Sequence, residues 1–145
     1  MIVVRVRGRG DWPGTETLPV RSTKVTCSLP TAKGGPGEGL GTARDPALSA
    51  PFRPVPGHWN HVAYTFDDGA KQQVLYIDGI PVASGSANDP IAYAAQPLLL
   101  GCGMHNGALD SFLHGRIDDA SIYNRALSGA EIASVYNAGP AGKHL

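Results

Sequence analysis

Residues 112–139 read Phe112-Leu-His-Gly-Arg-Ile-Asp-Asp-Ala-Ser-Ile-Tyr-Asn-Arg-Ala-Leu-Ser-Gly-Ala-Glu-Ile-Ala-Ser-Val-Tyr-Asn-Ala-Gly139. Arg116 to Tyr123 reads as a strand. Ser128-Gly-Ala-Glu131 is a capping box: the serine hydroxyl takes the amide at the third helical position, and the glutamate reaches back to the serine amide. Ile132, Val135 and Tyr136 then line one side of a short helix. Asn137-Ala-Gly139-Pro140 stops it, since glycine and proline terminate helices. The link Tyr123–Leu127 is so short that the helix must pack near the end of its strand.

Working upstream, Trp59-Asn-His-Val-Ala-Tyr-Thr-Phe66 is aromatic and β-branched, as a strand is. Val62, Tyr64 and Phe66 fall on one face, and Trp59, His61 and Ala63 on the other. Trp59 and Tyr76 belong to motifs whose resemblance, given below, implies core positions. Asp67-Asp-Gly-Ala70 is turn chemistry, and Gln73 to Ile77 is the returning strand. Asp78-Gly79 between Ile77 and Ile80 predicts a type I′ hairpin, whose two central residues need positive φ. Pro81 places the next strand at an edge. Gln96 to Gly101 reads as a further short strand, and Cys102 to Ser111 as a glycine-rich loop.

The first 56 residues look different. Ile2-Val-Val-Arg-Val-Arg7 alternates like a half-buried strand, and a second strand is expected around Lys24-Val-Thr-Cys27. Pro30 to Pro56 shows little periodicity, and Lys33 to Gly41 has the composition of a linker. This half holds eight of the twelve prolines, and eight Lys/Arg against four acids. The remainder holds four Lys/Arg against eight acids, so the formal net charge of zero hides an asymmetry. It fits either chance segregation or attraction between the two parts.

At 145 residues, the chain suits one domain over 1–145, with 1–56 an atypical or truncated N-terminal segment. Nineteen glycines, twelve prolines and 17% charged residues suit a turn-rich β protein. Neutral net charge and the lack of a long apolar run predict no nucleic-acid partner and no membrane partner. No signal peptide is legible. Cys27 and Cys102 permit one disulfide or two separate thiols.

Three motifs carry a resemblance: Trp59-x-His-Val-Ala, Leu75-Tyr-x-Asp-Gly79, and Gly115-x-Ile-Asp-Asp-Ala-x-Ile-Tyr-Asn-Arg-Ala-Leu-Ser-x-x-Glu-Ile132. Over about residues 57–139 the chain resembles the laminin-G-like jelly roll of the concanavalin A-like lectin/glucanase superfamily. The resemblance implies an all-β fold: an antiparallel two-sheet jelly-roll sandwich, here with one short C-terminal helix. It also implies a secreted or cell-surface setting, frequent calcium, and a glycan or protein ligand. The expected function is a non-catalytic recognition module. The opening strands usual in such modules are not recognisable in residues 1–56. A jelly roll lacking strands exposes edges. Either residues 1–29 supply substitutes, or a second copy of the chain covers the gap, and a homo-oligomer is expected.

A glucanase of this superfamily would carry a Glu-x-Asp-x-x-Glu strand. The only glutamates are Glu16, Glu38 and Glu131, and no such pattern exists. A Gly-x-Ser-x-Gly elbow is also missing. Asp118 and Asp119 are the candidate calcium ligands, helped by a loop acid such as Asp110 or Asp89. Asp118 is expected to share its strand face with Ala120 and Ile122, taken as core, so a structural carboxylate is the competing account. Tyr93, His105, Asn106 and Asp110 are the loop candidates for ligand binding. A rival reading is a small metal-dependent hydrolase of esters or phosphoesters. It would use a zinc-type transition metal held by histidines such as His58, His61, His105 and His114.

Overall fold

The computed structural model of the chain describes residues 2–8, 23–27, 48–52, 58–86, 99–105, 108–110, 112–113 and 115–139. Within them run β1 (Ile2–Gly8), β2 (Thr23–Cys27), β3 (Leu48–Phe52), β4 (Trp59–Asp67) and β5 (Gln72–Ile77), then β6 (Ile80–Ser86), β7 (Gly103–His105), β8 (Ala108–Asp110), β9 (Gly115–Ile122) and α1 (Gly129–Asn137). The main sheet has the order β6-β5-β4-β1-β9, every described pairing antiparallel. β2 pairs with β3, and β7 with β8, as two-stranded ribbons.

The N-terminal strand is thus interior to the sheet. β1 pairs with β4 on one side (Ile2↔Tyr64) and with β9 on the other (Ile2↔Ile122). The substitute strands expected from residues 1–29 are β1 and β2. Of the two alternatives, substitute strands or a second copy of the chain, the first is the one seen here.

Both faces of the main sheet are covered. On the inner face Val62, Tyr64 and Phe66 of β4 and Leu75 of β5 pack against Leu48 and Ala50 of β3. β3 alternates buried and exposed residues, with Leu48, Ala50 and Phe52 inward. This strand lies in the stretch read as aperiodic, because Pro46, Pro51, Pro54 and Pro56 mask the alternation of its apolar residues. It has only β2 as a described partner, and an edge tolerates Pro51. One polar group joins this layer: Gln73, 2% exposed, accepts from the Tyr64 hydroxyl at 2.7 Å and donates to the Ser86 carbonyl at 2.9 Å. The bonds offset the cost of burying the amide.

On the outer face, Ala63 and Tyr76 pack against Leu127 and Ile132, so the helix lies over this side. Its capping box is present, as read from the sequence. Arg125 tightens it, donating to both Glu131 carboxylate oxygens at 3.0 and 2.6 Å. The guanidinium first, and then the Ser128 amide and hydroxyl, lower the Glu131 carboxyl to about 2. A carboxyl depressed in the folded state contributes stability that is present above its unfolded value. That stability is lost as pH falls through the folded one. Carbon-detected NMR titration of Glu131 is expected to give a midpoint at about 2. Arg125→Ala is expected to move that midpoint up toward an ordinary glutamate. An unmoved midpoint would show that the arginine does not hold the carboxylate.

The Asp78-Gly79 turn has the expected positive φ at both residues, 51° and 78°. A Cβ on Gly79 would lie 3.1 Å from Cδ1 of Tyr136, so glycine also lets the helix approach the turn. β6 lies at a sheet edge, as Pro81 predicts. Three expectations are corrected. Trp59 is 39% exposed rather than core, whereas Tyr76 is buried as expected. Of the strand expected over Gln96 to Gly101, residues 96–98 lie outside the described residues and 99–101 are not strand; Gly101 bends the chain at φ 79°, and its carbonyl accepts from the Leu113 amide at 2.7 Å. The segment 102–111 is not simply a loop, since β7 and β8 form a hairpin within it. Cys102 is a free thiol, so no bridge to Cys27 forms.

Candidate functional site

A cleft of about 420 Å³ lies between the end of β3 and the β5–β6 turn. Pro51, Phe52, Ile77, Ile80 and Val82 make its apolar walls, and Asn60 and Asp78 its polar part. The turn geometry positions Asp78. Its amide donates to the His61 carbonyl at 2.8 Å, and its Oδ1 accepts from the His61 amide at 2.8 Å. Its Oδ2 accepts from Asn60 Nδ2 at 3.3 Å. A carboxylate only accepts, so this contact fixes which end of the Asn60 amide faces it. Asn60 Oδ1 is then left buried, with no hydrogen-bond partner. Ile80 and Val82 are exposed on the edge strand, 64% and 41%, so the apolar wall is accessible.

Arg7 of β1 pairs with Trp59 of β4 and with Arg116 of β9, so the three share one row across the sheet. One row further, Arg5 stands between His61 and Asp118. His61 itself is buried, with its ring 5.9 Å from that of Tyr136. That is the packing role that competed with zinc ligation, while His58 is exposed on the approach to β4.

The Asp118–Asp119 step departs from the sequence reading. Val3 pairs with Ser121 but Arg5 with Asp118, so β9 carries one extra residue there, a β-bulge. Asp119 takes φ 55°, a left-handed conformation aspartate tolerates better than most residues. The extra residue breaks the period of two. Asp118 therefore falls on the outer face opposite Arg5, while Ile122 returns to the inner-face row of Ile2 and Tyr64. The expectation that Asp118, Ala120 and Ile122 share a core face is corrected: the bulge separates them, and all three are exposed. Asp118 Oδ1 accepts from the Asp119 amide at 2.8 Å. Among the described residues no three His, Cys, Asp or Glu side chains gather. Calcium takes six to eight oxygens, of which two adjacent carboxylates would be a part.

Of the ligand candidates, His105 ends β7 and Asp110 ends β8. The register pairs Gly103 with Asp110 and His105 with Ala108. Tyr93, Asn106, Asp89 and His114 lie outside the described residues. The sequence reading missed Asn60 altogether and saw in Asp78 only a turn residue. Its one available signal was the demand of Asp78, at the head of a tight turn, for backbone and amide donors.

A family model described as the concanavalin A-like lectin/glucanases superfamily, of the laminin G type, matches residues 32–133. The match begins 25 residues before Gly57 and so takes in β3. No curated protein matches the sequence. Two solved structures share the fold. One is the native heptameric SAP-like pentraxin of Limulus polyphemus, with a TM-score of 0.55 and 13% identity over 95% of this chain and 69% of that one. The other is domain 4 of AbnA, a GH43 extracellular arabinanase of Geobacillus stearothermophilus in complex with arabinotriose. Its TM-score is 0.53, with 18% identity over 93% of this chain and 65% of that one, just under two thirds of its length. With the three motifs, the two-layer strand packing and a family match over most of its length, the chain belongs to the concanavalin A-like lectin/glucanases superfamily.

Proposed function

We propose that the chain is a non-catalytic recognition module whose ligand is a glycan, bound in the Asn60–Asp78 cleft. The observation that carries this reading is the Asn60 amide. Asp78 holds its nitrogen end, so the oxygen, buried and without a partner, is left in need of a donor at a residue that lines the cleft. A sugar supplies hydroxyl donors along one edge and a C–H face for Ile77, Ile80 and Val82. A few placed polar groups among apolar walls is the usual make-up of a small-ligand site. Support comes from the lectin membership of the superfamily and from the arabinotriose complex of the AbnA domain. We place the module outside the cell, the setting named for that arabinanase. The hydrolase alternative is not favoured, since burial against Tyr136 occupies His61 with packing.

A glycan array with the purified chain tests the reading. Asn60→Ala is expected to weaken the bound glycan about tenfold or more, the loss of one buried hydrogen bond. Because Asn60 also braces the Asp78 turn, Ile80→Ser provides a second test at a 64% exposed position. It removes the apolar wall and leaves the turn intact. Undiminished binding by both variants would exclude the cleft. A ligand that proves to be a protein, lost on the same two substitutions, would keep the site and change its class.

A further inference from the structure

Given a glycan in the Asn60–Asp78 cleft, the reading on which this rests, we propose that the sugar bears a free amino group whose ammonium seats on the Asp78 carboxylate. Asp78 is half-buried, and its hydrogen-bond partners, the His61 amide and Asn60 Nδ2, are both neutral. Asp68 and Glu131, by contrast, each hold a cation at 2.6 Å. Among the described residues no cation pairs with Asp78, and no cationic side chain lines the cleft. A carboxylate left among apolar walls gains most from a partner of opposite charge.

The hydrogen-bonding pattern narrows the partner further. Of the lining side chains only that of Asn60 carries an N–H, and its nitrogen is turned to Asp78. A carboxylate accepts about four hydrogen bonds, and Asp78 accepts two from the described residues. Asn60 Oδ1, buried without a partner, is a further acceptor on the amide that Asp78 holds. The polar end of the cleft is therefore a set of acceptors. A sugar hydroxyl donates one proton, and its own oxygen then needs a donor that no other lining side chain has. An ammonium brings three donors and no acceptor. A charge-assisted hydrogen bond is also about twice as strong as a neutral one. The tight turn and the His61 amide fix the carboxylate before a ligand arrives, so little order is lost on binding. The C–H face of the ring is left for Ile80 and Val82, exposed along the edge strand. The same pattern disfavours an acidic sugar, whose carboxylate would meet Asp78 with no cation between them.

The experiment is calorimetric titration of the full chain with three β-1,4-linked tetrasaccharides that differ only at carbon 2. The glucosamine tetramer carries an amine there, the N-acetylglucosamine tetramer an acetamide, and cellotetraose a hydroxyl. The amine is expected to bind about tenfold tighter or more than either of the others, and less so as salt rises. Asp78→Asn keeps a residue suited to the positive-φ turn and is expected to bring the three within about threefold of one another. Asp68→Asn removes the same charge at the other end of β5 and is expected to leave the preference unchanged. The three-way comparison on the unaltered chain decides even if Asp78→Asn does not fold. Equal binding of the three tetramers, lost in Ile80→Ser, overturns the amine and leaves the glycan cleft standing. Binding of none of them also overturns the amine, and the glycan array then decides the cleft. A preference weakened as much by Asp68→Asn as by Asp78→Asn marks a general attraction to acidic surface and overturns the site. Tetralysine bound more tightly than the glucosamine tetramer overturns the glycan in favour of a basic protein segment.

Discussion

Deleting residues 1–8 is expected to abolish cooperative folding, an effect larger than that of any single substitution. β1 makes six described cross-strand pairs with β4 and six with β9. Each backbone hydrogen bond is worth about 0.5–1.5 kcal/mol net, and an interior donor or acceptor left without a partner costs more. Whole domains are stable by only about 5–15 kcal/mol. Losing both ladders takes most of that margin. It also separates β9 from the β6-β5-β4 meander, since no other described strand joins them. A sharp thermal transition in the full chain, replaced by a broad one with dye-binding apolar surface in the deletion, is the expected pair of traces. A deletion that still melted sharply within a few degrees of the parent would show that β1 is dispensable.

The second large effect is Leu75→Ala. Leu75 is 0% exposed, opposite Tyr64 in the register, and joins β5 to the layer formed by Leu48 and Ala50. Truncation leaves a cavity between two sheets whose backbones cannot close over it. The expected cost is about 2–5 kcal/mol, which lowers the melting temperature by roughly 10 °C or more. Leu75→Met keeps the volume and is expected to cost less than about 1.5 kcal/mol. Ile122→Ala serves as the contrast: at 67% exposure it is expected to change stability by no more than about 0.5 kcal/mol. Calorimetry on the three variants decides. A Leu75→Ala loss as small as that of Ile122→Ala would mean that β3 does not pack on the main sheet.

Much of the fold is legible from local chemistry. β4, β5, the Asp78-Gly79 turn, β9 and the capped helix follow from alternation, positive-φ residues and the Ser128–Glu131 spacing, all of which act within a few residues. What eluded the sequence depends on contacts far along the chain or on one-residue irregularities. β3 was hidden because proline lowers strand propensity even where an edge tolerates it. The bulge at Asp119 is announced only by the ease with which aspartate adopts left-handed φ, yet it reverses the facing of every later residue in the strand. Trp59 is expected in the core because it belongs to the Trp59-x-His-Val-Ala motif, yet it stands 39% exposed at the first residue of its strand. Asn60 gains its role only from Asp78, eighteen residues away.

The neighbouring of the first and last strands has a kinetic consequence. Ile2 meets Ile122 across 120 residues, whereas Tyr64 meets Leu75 across 11. By loop-closure entropy, the long closure costs about 2 kcal/mol more than the hairpin. The β4-β5-β6 meander can therefore form early, while β1 waits for β9 before its second edge is occupied. Folding of this chain is expected to be slow for its size. During synthesis, β1 can already cover β4, but its other edge stands open to any passing strand, so the interval before residue 122 emerges is when the chain is most exposed to aggregation.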